Sequence, residues 1–337
     1  THCISSAASD VYKRQGYEIR KNYEGADYVF YLPADTPSNA RRFLDIVHPE
    51  IAIFIKYEFW INLLSELRRR KVRSYIVSAI FRRNSVFFRP YGAMWRQALE
   101  TFDTLFVQNV ESKRLLSEIG FDNVVVAGDT RFDRVAQIAA AAQRVETIER
   151  FRGGGRLFVA GSTWGPDEEI LLPLVNANPD VKFVIAPHEM DEGRIAHLMR
   201  NAKGGAVRYT QCDAATRFDD VQVLVLDTMG MLSSVYGSAT WAYVGGGFGV
   251  GIHNTLEAAT FGLPIAFGPN YGKFKEARDM VSLGCAVSVR TAGELAAWFA
   301  PLCDDEETLR RASRTAKDYT ARNQGATGII LRSIFNS

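Results

Sequence analysis

Cysteine is scarce in this chain. Four residues, Cys3, Cys212, Cys285 and Cys303, are scattered over 337 positions. None stands in a Cys-x-x-Cys pair, which argues against a zinc site or a disulfide framework and fits a reducing compartment. Long apolar runs are missing too. The nearest, IAIFI at 51–55, is strand length and runs into Lys56, far from the ~20 apolar residues of a membrane span. Charge of one sign is also lacking: a net +2 provides no global field that would select nucleic acid, so any preference for anions must be local. The first residues, THCISSAASDVYKRQ, have no apolar stretch of the kind a secretory signal needs. DVYKRQ at 10–15 looks like a translated sequencing adapter, so residues 1–15 read as non-native and genuine sequence as starting at Gly16; the alternative is an ordinary polar tail. No internal repeat is visible.

What is present is an ordinary globular composition, 47% hydrophobic and 23% charged, in a chain long enough for two domains with separate cores. Short β-branched and aromatic runs alternate with amphipathic stretches. YVFYL (28–32), IAIFI, VRSYIVSA and NVVVAGD suit strands. DTPSNARRFLDIVHPE reads as a helix capped by Thr36 with Pro37 at its first position. The run FRGGGR (151–156) interrupts the pattern and marks the expected boundary between a first domain, 16–150, and a second, 151–325, followed by a C-terminal helix, 326–337. Six further strands, LFVAG, VKFVIA, VQVLVLD, TWAYVG, LPIAF and CAVSV, alternate with helices after it. Such alternation predicts parallel sheets: an α/β protein of two Rossmann-like, doubly wound domains, with ligands beyond the carboxyl ends of the strands.

The richest segment is TWAYVGGGFGVGIHNTLEAATFGLPIAFGPNYG (240–272). A strand runs into Gly245, Gly246, Gly247, Gly249 and Gly251, which allow a sharp turn and close ligand approach. A helix is expected from His253 to Phe261, stopped by Gly262 and Pro264. Its first turn would point N–H groups and a positive dipole end at the loop, an anion site. Glu257, one turn after His253, can accept the two hydroxyls of a ribose. Phosphate and ribose together describe a nucleotide, although many glycine turns only pack tightly. Ser162 and Thr163, after LFVAG, can offer hydroxyls and N–H groups to a phosphate or sugar carboxylate. Asp167 and Glu168 suit the first turn of the next helix. Two basic clusters, LRRRKVR (67–73) and FRRNSVFFRP (81–90), differ. The first reads as a solvated helix face. The second interleaves cations with Phe81, Phe87 and Phe88, and exposed aromatics beside cations suit an anionic membrane surface.

GGGFGVGIHNTLEAATFGLPIAFGPNYGKF resembles the donor-binding motif of the Kdo (3-deoxy-D-manno-octulosonic acid) transferases. KYEFW (56–60), GDTRFDRV (128–135), GSTWGPDEE (161–169) and APHE (186–189) follow that family's order and spacing, so the resemblance runs from Gly16 to about Gly325. It implies the GT-B arrangement, two such domains facing across a cleft. It implies transfer of Kdo from CMP-Kdo to a lipid A precursor, without cofactor or metal, at the cytoplasmic face of the bacterial inner membrane, with no nucleic-acid partner. Arg131 matches a basic position that stabilises the transition state; otherwise it would pair with Asp129 or Asp133. Glu58 matches a supporting catalytic Glu, against an alternative of bonding its own turn. The donor residues carried over are Ser162, Thr163, Pro187, His188, Met229, Gly230, Met231, Gly251, His253, Asn254, Thr255, Leu256 and Glu257. Where the family commonly has Met-Gly-Glu, this chain has Met231 in place of the Glu, so a carboxylate contact is lost or moved. The family's membrane anchor and general-base Glu match nothing after Gly16, so the chain is expected to lack them and to bind donor without transferring it. The competing readings are a GT-B sugar-nucleotide 2-epimerase and an inactive nucleotide-binding fragment.

Overall fold

The computed structural model describes residues 3–7, 17 and 21–335. It divides into two compact units, Thr1–Asp129 with Thr327–Ser337, and Thr130–Ala326. The first unit holds β1 (Cys3–Ala7) and β2 (Tyr28–Leu32) as a parallel pair, and β3 (Ile51–Ile55), β4 (Arg73–Ala79), β5 (Thr104–Val107) and β6 (Val124–Val126) as a parallel sheet in that order. The stretch expected to be non-native thus contributes one described strand; residues 8–15 of it lie outside the described residues. Thr36 caps the helix Pro37–Val47 as expected, accepting from the Asn39 N–H at 3.3 Å. The C-terminal helix, Ala326–Phe335, covers one sheet face, packing Ile330 and Ile334 against Tyr75, Val77 and Phe106.

The second unit is one parallel sheet of seven strands. In chain order they are β7 (Leu157–Thr163), β8 (Lys182–Pro187), β9 (Ala206–Arg208), β10 (Val223–Val225), β11 (Trp241–Val244), β12 (Ile265–Phe267) and β13 (Ala286–Ser288). Their spatial order is β13-β12-β11-β7-β8-β10-β9. Both faces are covered by helices, so successive residues feed two cores. Val159, Val184, Ala242 and Phe267 enter one; Phe158, Ile185, Trp241 and Tyr243 enter the other. Burial on both faces is why these strands read as continuous apolar runs. The division falls between Asp129 and Thr130, before the glycine run. The helix Thr130–Ala141 belongs to the second unit because Phe132 and Val135 pack on Leu256 and Tyr319.

The expected membrane-facing segment at 81–90 is corrected. Phe81 and Phe87 are buried and Phe88 packs against the same core. The turn Val86–Phe88 folds the rings inward, with Phe87 edge-on to Phe59 at 4.8 Å and to Phe81 at 5.3 Å. The cations stay outside, Arg83 pairing with Glu118 at 2.6 Å. The 67–73 cluster is a helix end whose arginines reach Glu66, Glu100 and Asp45. No helix among the described residues is long and apolar enough to cross a membrane.

Candidate functional site

Every loop of interest in the second unit leaves the carboxyl end of a parallel strand. At the end of β7, Ser162 is left-handed (φ 53°), and the β7–β8 register shifts between Gly161 and Thr163. This bulge turns Thr163 inward. Its side chain is buried and donates to Glu168 Oε1 at 2.9 Å, and its carbonyl accepts from His188 N at 2.9 Å and Arg194 Nη2 at 3.1 Å. The Thr163 hydroxyl is therefore used inside the protein, contrary to its expected exposure to ligand. Glu168 is ion-paired with Arg194 at 2.6 Å. Pro187 is buried as the last residue of β8, and His188 is exposed after it.

The glycine loop leaves β11. A Cβ on Gly245 would stand 2.2 Å from the Ser162 carbonyl oxygen, so this crossing requires glycine. Gly246 has φ 90°. Its N–H donates at 3.0 Å to Asp167 Oδ2, which also accepts from Trp164 N at 2.9 Å, while Oδ1 accepts from the Tyr243 hydroxyl at 2.7 Å. Asp167 thus caps its helix, as the sequence suggested, and also ties the first strand's loop to the glycine loop. Burial pushes its carboxyl above the ordinary range, against the pull of those three hydrogen bonds. The loop closes where His253 N donates to Gly245 O at 3.0 Å.

The helix that follows is Leu256–Thr260, shorter than expected. His253 lies before it, so His253 and Glu257 do not share a helical face. Asn254 accounts for the late start: its Oδ1 accepts from Leu256 N at 3.2 Å and its Nδ2 donates to Glu257 Oε1 at 3.0 Å, a side-chain turn competing with the helix. Glu257 Oε2 accepts from the Ser233 hydroxyl at 2.8 Å. Ser233 belongs to the short helix Leu232–Tyr236, which follows Met229, Gly230 and Met231. Met229 is exposed, Gly230 has φ 85°, and Met231 packs partly on the core. The donor list is corrected at Leu256, whose side chain is buried against Phe132 and Val135, leaving only backbone to offer, with its N–H given to Asn254. Thr255 is buried as well, and its Oγ1 has no hydrogen-bond partner among the described residues. Gly251 (φ 147°) lies under Lys273 and Phe274, each within 2.8 Å of where a Cβ would stand.

Three rings line this edge. His188 stacks on His253 with centroids 4.3 Å apart, and Trp164 lies 4.8 Å from His188 on its side. The Trp164 indole N–H reaches His253 Nε2 at 3.2 Å. Burial, then the neighbouring His188, lowers the His253 pKa from its ordinary value. Arg131 pairs with Glu276 at 2.8 Å. Glu58 belongs to the first unit, where the Trp60 indole N–H donates to it at 2.7 Å. Among the described residues no group of three His, Cys, Asp or Glu side chains is placed to hold a metal ion. Trp164 and Arg194 carried no functional expectation. The Trp-x-x-Asp spacing was a readable cap; nothing local pointed to Arg194.

Residues 11–134 match the family model for 3-deoxy-D-manno-octulosonic-acid transferase. The chain is 27% identical to the 3-deoxy-D-manno-octulosonic acid transferase of Bordetella pertussis, over 90% of this chain and 73% of that protein. It is 24% identical to the Haemophilus influenzae protein of the same name, over 93% of this chain and 75% of that one. Among solved structures, a UDP-GlcNAc 2-epimerase from Neisseria meningitidis, bound to UDP-GlcNAc, superposes with TM-score 0.66 at 16% identity, covering 99% of this chain and 91% of that chain. That likeness shows the GT-B fold, and the family model and the relatives make the chain similar to the Kdo transferases, which are glycosyltransferases.

Proposed function

We propose that this chain is the transferase that moves Kdo from CMP-Kdo to a sugar hydroxyl of a lipid A precursor in lipopolysaccharide synthesis, working at the cytoplasmic face of the inner membrane. The observation that carries the donor half is Glu257, held between Ser233 and Asn254 beside a glycine loop at the strands' carboxyl edge. A carboxylate so oriented can exchange those two partners for the two ribose hydroxyls of CMP. Ser162, Gly230, Gly251 and Asn254 surround the same edge with short side chains and backbone groups suited to phosphate and sugar. The acceptor and the membrane are carried by the family resemblance alone.

The leaving group is a phosphate monoester, and negative charge grows on it as the glycosidic bond breaks and the sugar becomes oxocarbenium-like. Arg131 is the cation suited to that charge, with Glu276 fixing its guanidinium meanwhile. A group aimed at developing charge speeds the reaction more than it tightens ground-state binding. In a form carrying the family's N-terminal segment, Arg131→Ala should therefore lower turnover of CMP-Kdo far more than CMP affinity; equal losses would make it a plain binding contact. Glu58 is assigned a supporting role from the first unit.

Calorimetry tests the donor assignment. CMP should bind and UDP-GlcNAc should not, which separates this reading from an epimerase. Glu257→Ala should weaken CMP by about 1.5–3 kcal/mol, the range for a charged hydrogen-bond partner. Unchanged CMP affinity in that variant, or preference for UDP-GlcNAc, would overturn it.

A further inference from the structure

The ring stack at the donor edge contains a hydrogen bond whose direction is fixed by chemistry. An indole nitrogen only donates. The 3.2 Å contact from Trp164 Nε1 to His253 Nε2 therefore requires the bare nitrogen of the imidazole at Nε2, and its proton at Nδ1. Protonating the ring would set N–H against N–H, and would place a cation 4.3 Å from the stacked His188 ring. We propose that Trp164 is a positioning residue that locks His253 as the neutral Nδ1–H tautomer, so that the glycine loop presents a hydrogen-bond donor instead of an imidazolium.

The surroundings of His253 support a neutral ring. His188 faces it from the end of β8. From the helix after β7, Asp167 is already engaged by Gly246 N, Trp164 N and Tyr243, and Glu168 by Arg194 and Thr163. Arg194 stands 5.9 Å from the Trp164 ring with its charge met by Glu168. Lys273, packed on Gly251, donates to the Val250 carbonyl. Glu257 is held by Asn254 and Ser233. No carboxylate among these pairs with His253. A neutral donor has a functional consequence: it binds a phosphate or sugar oxygen with the same strength across the physiological range, where a free histidine would switch.

This inference rests on the donor-site reading only for the identity of the ligand. The test is nitrogen NMR of the protein labelled at histidine, with His253→Gln assigning the signals. In the unaltered protein, His253 should show a protonated Nδ1, a bare Nε2 and a titration midpoint below 6.5. In Trp164→Phe the midpoint should rise and the Nε2–H tautomer should appear. CMP affinity, measured by calorimetry from pH 6 to 8, should follow only the ligand phosphate's own ionisation in the unaltered protein and gain a further pH dependence in the variant. An Nε2–H tautomer in the unaltered protein overturns the proposal, as does unchanged titration in Trp164→Phe. The first of these readouts decides even if the variant does not fold. Absence of CMP binding with the expected tautomer would sink the nucleotide reading and leave the role of Trp164 standing.

Discussion

Asp167 is the residue on which the glycine-loop edge depends most. It is fully buried, yet it serves three donors from three places: the start of its own helix, the middle of β11 and the glycine loop. Removing an acceptor from buried donors costs about 1–3 kcal/mol for each one left unsatisfied. Asp167→Ala should therefore destabilise the second unit by about 3 kcal/mol in denaturant unfolding and weaken CMP in parallel; a loss under about 0.5 kcal/mol, the scale of an ordinary surface change, would refute the tie. The carboxylate's helix-capping role was readable from Trp164-x-x-Asp167 spacing, but its reach to Gly246 was not, since that partner lies 79 residues away. The same distinction runs through the site. Glu257, His253 and Gly251 could be proposed together because glycines, a histidine and a glutamate sit in one short run. Thr163 and Leu256 were misplaced because a bulge and a late helix start decide which way those side chains point, and neither leaves a local sequence signal. Arg194 was invisible because only the fold brings it to Glu168.

At the scale of elements, charge and aromatic patterns proved easier to read than their orientation. The helix Ile61–Arg69 ends in arginines that clasp Glu66, with Arg69 bonding both carboxylate oxygens at 2.8 and 2.6 Å. That bond, ahead of the one from Arg70, holds the Glu66 carboxyl down at about 2. A depressed folded pKa gives stability that is present above the unfolded value, near 4.5, and is lost as pH falls through about 2. Glu66→Gln should therefore lower the first unit's melting temperature at pH 7. The gap to the unaltered protein should close between pH 4.5 and 2, and a gap that stays constant would refute the ion-pair account. In the segment 81–90, Phe87→Ala should cost about 3–5 kcal/mol, as for other buried aromatics; unchanged stability with loss of binding to anionic vesicles would restore the surface reading. Interleaved cations and rings describe a membrane face and a folded-in turn equally well, and only burial separates them. Most strands were legible from β-branched runs. The helix Glu306–Arg322, the longest among the described residues, went unassigned despite Asp305 as a cap, because its mean polarity hid its apolar stripe of Leu309, Ala312 and Ala316. The three-residue β9 is too short to carry a periodicity.

For the whole molecule, the chain path and the folding units do not coincide. The last helix, Ala326–Phe335, follows the second unit in sequence but buries Ile330 and Ile334 in the first unit's core. The helix Thr130–Ala141 precedes the glycine run yet joins the second unit. Sequence reading put the boundary at FRGGGR because glycine runs often mark linkers. In the structure Gly153 is instead the left-handed end of the helix Glu146–Arg152, at φ 59°, a C-cap inside a unit. The ligand should reveal the true partition. A ligand that binds only the folded form stabilises by RT ln(1 + [L]/Kd), about 2.7 kcal/mol at a hundredfold excess over Kd. With all proposed CMP contacts in the second unit, that gain should fall on amides of 130–326. Hydrogen exchange read by mass spectrometry should show slowed exchange there on adding CMP and little change in 21–129. Peptides from 327–335 should follow the first unit and stay unchanged, although they adjoin the protected region in sequence. Equal protection of both sets would mean that the units open together, and protection of 327–335 alone with 130–326 would place the last helix in the wrong unit.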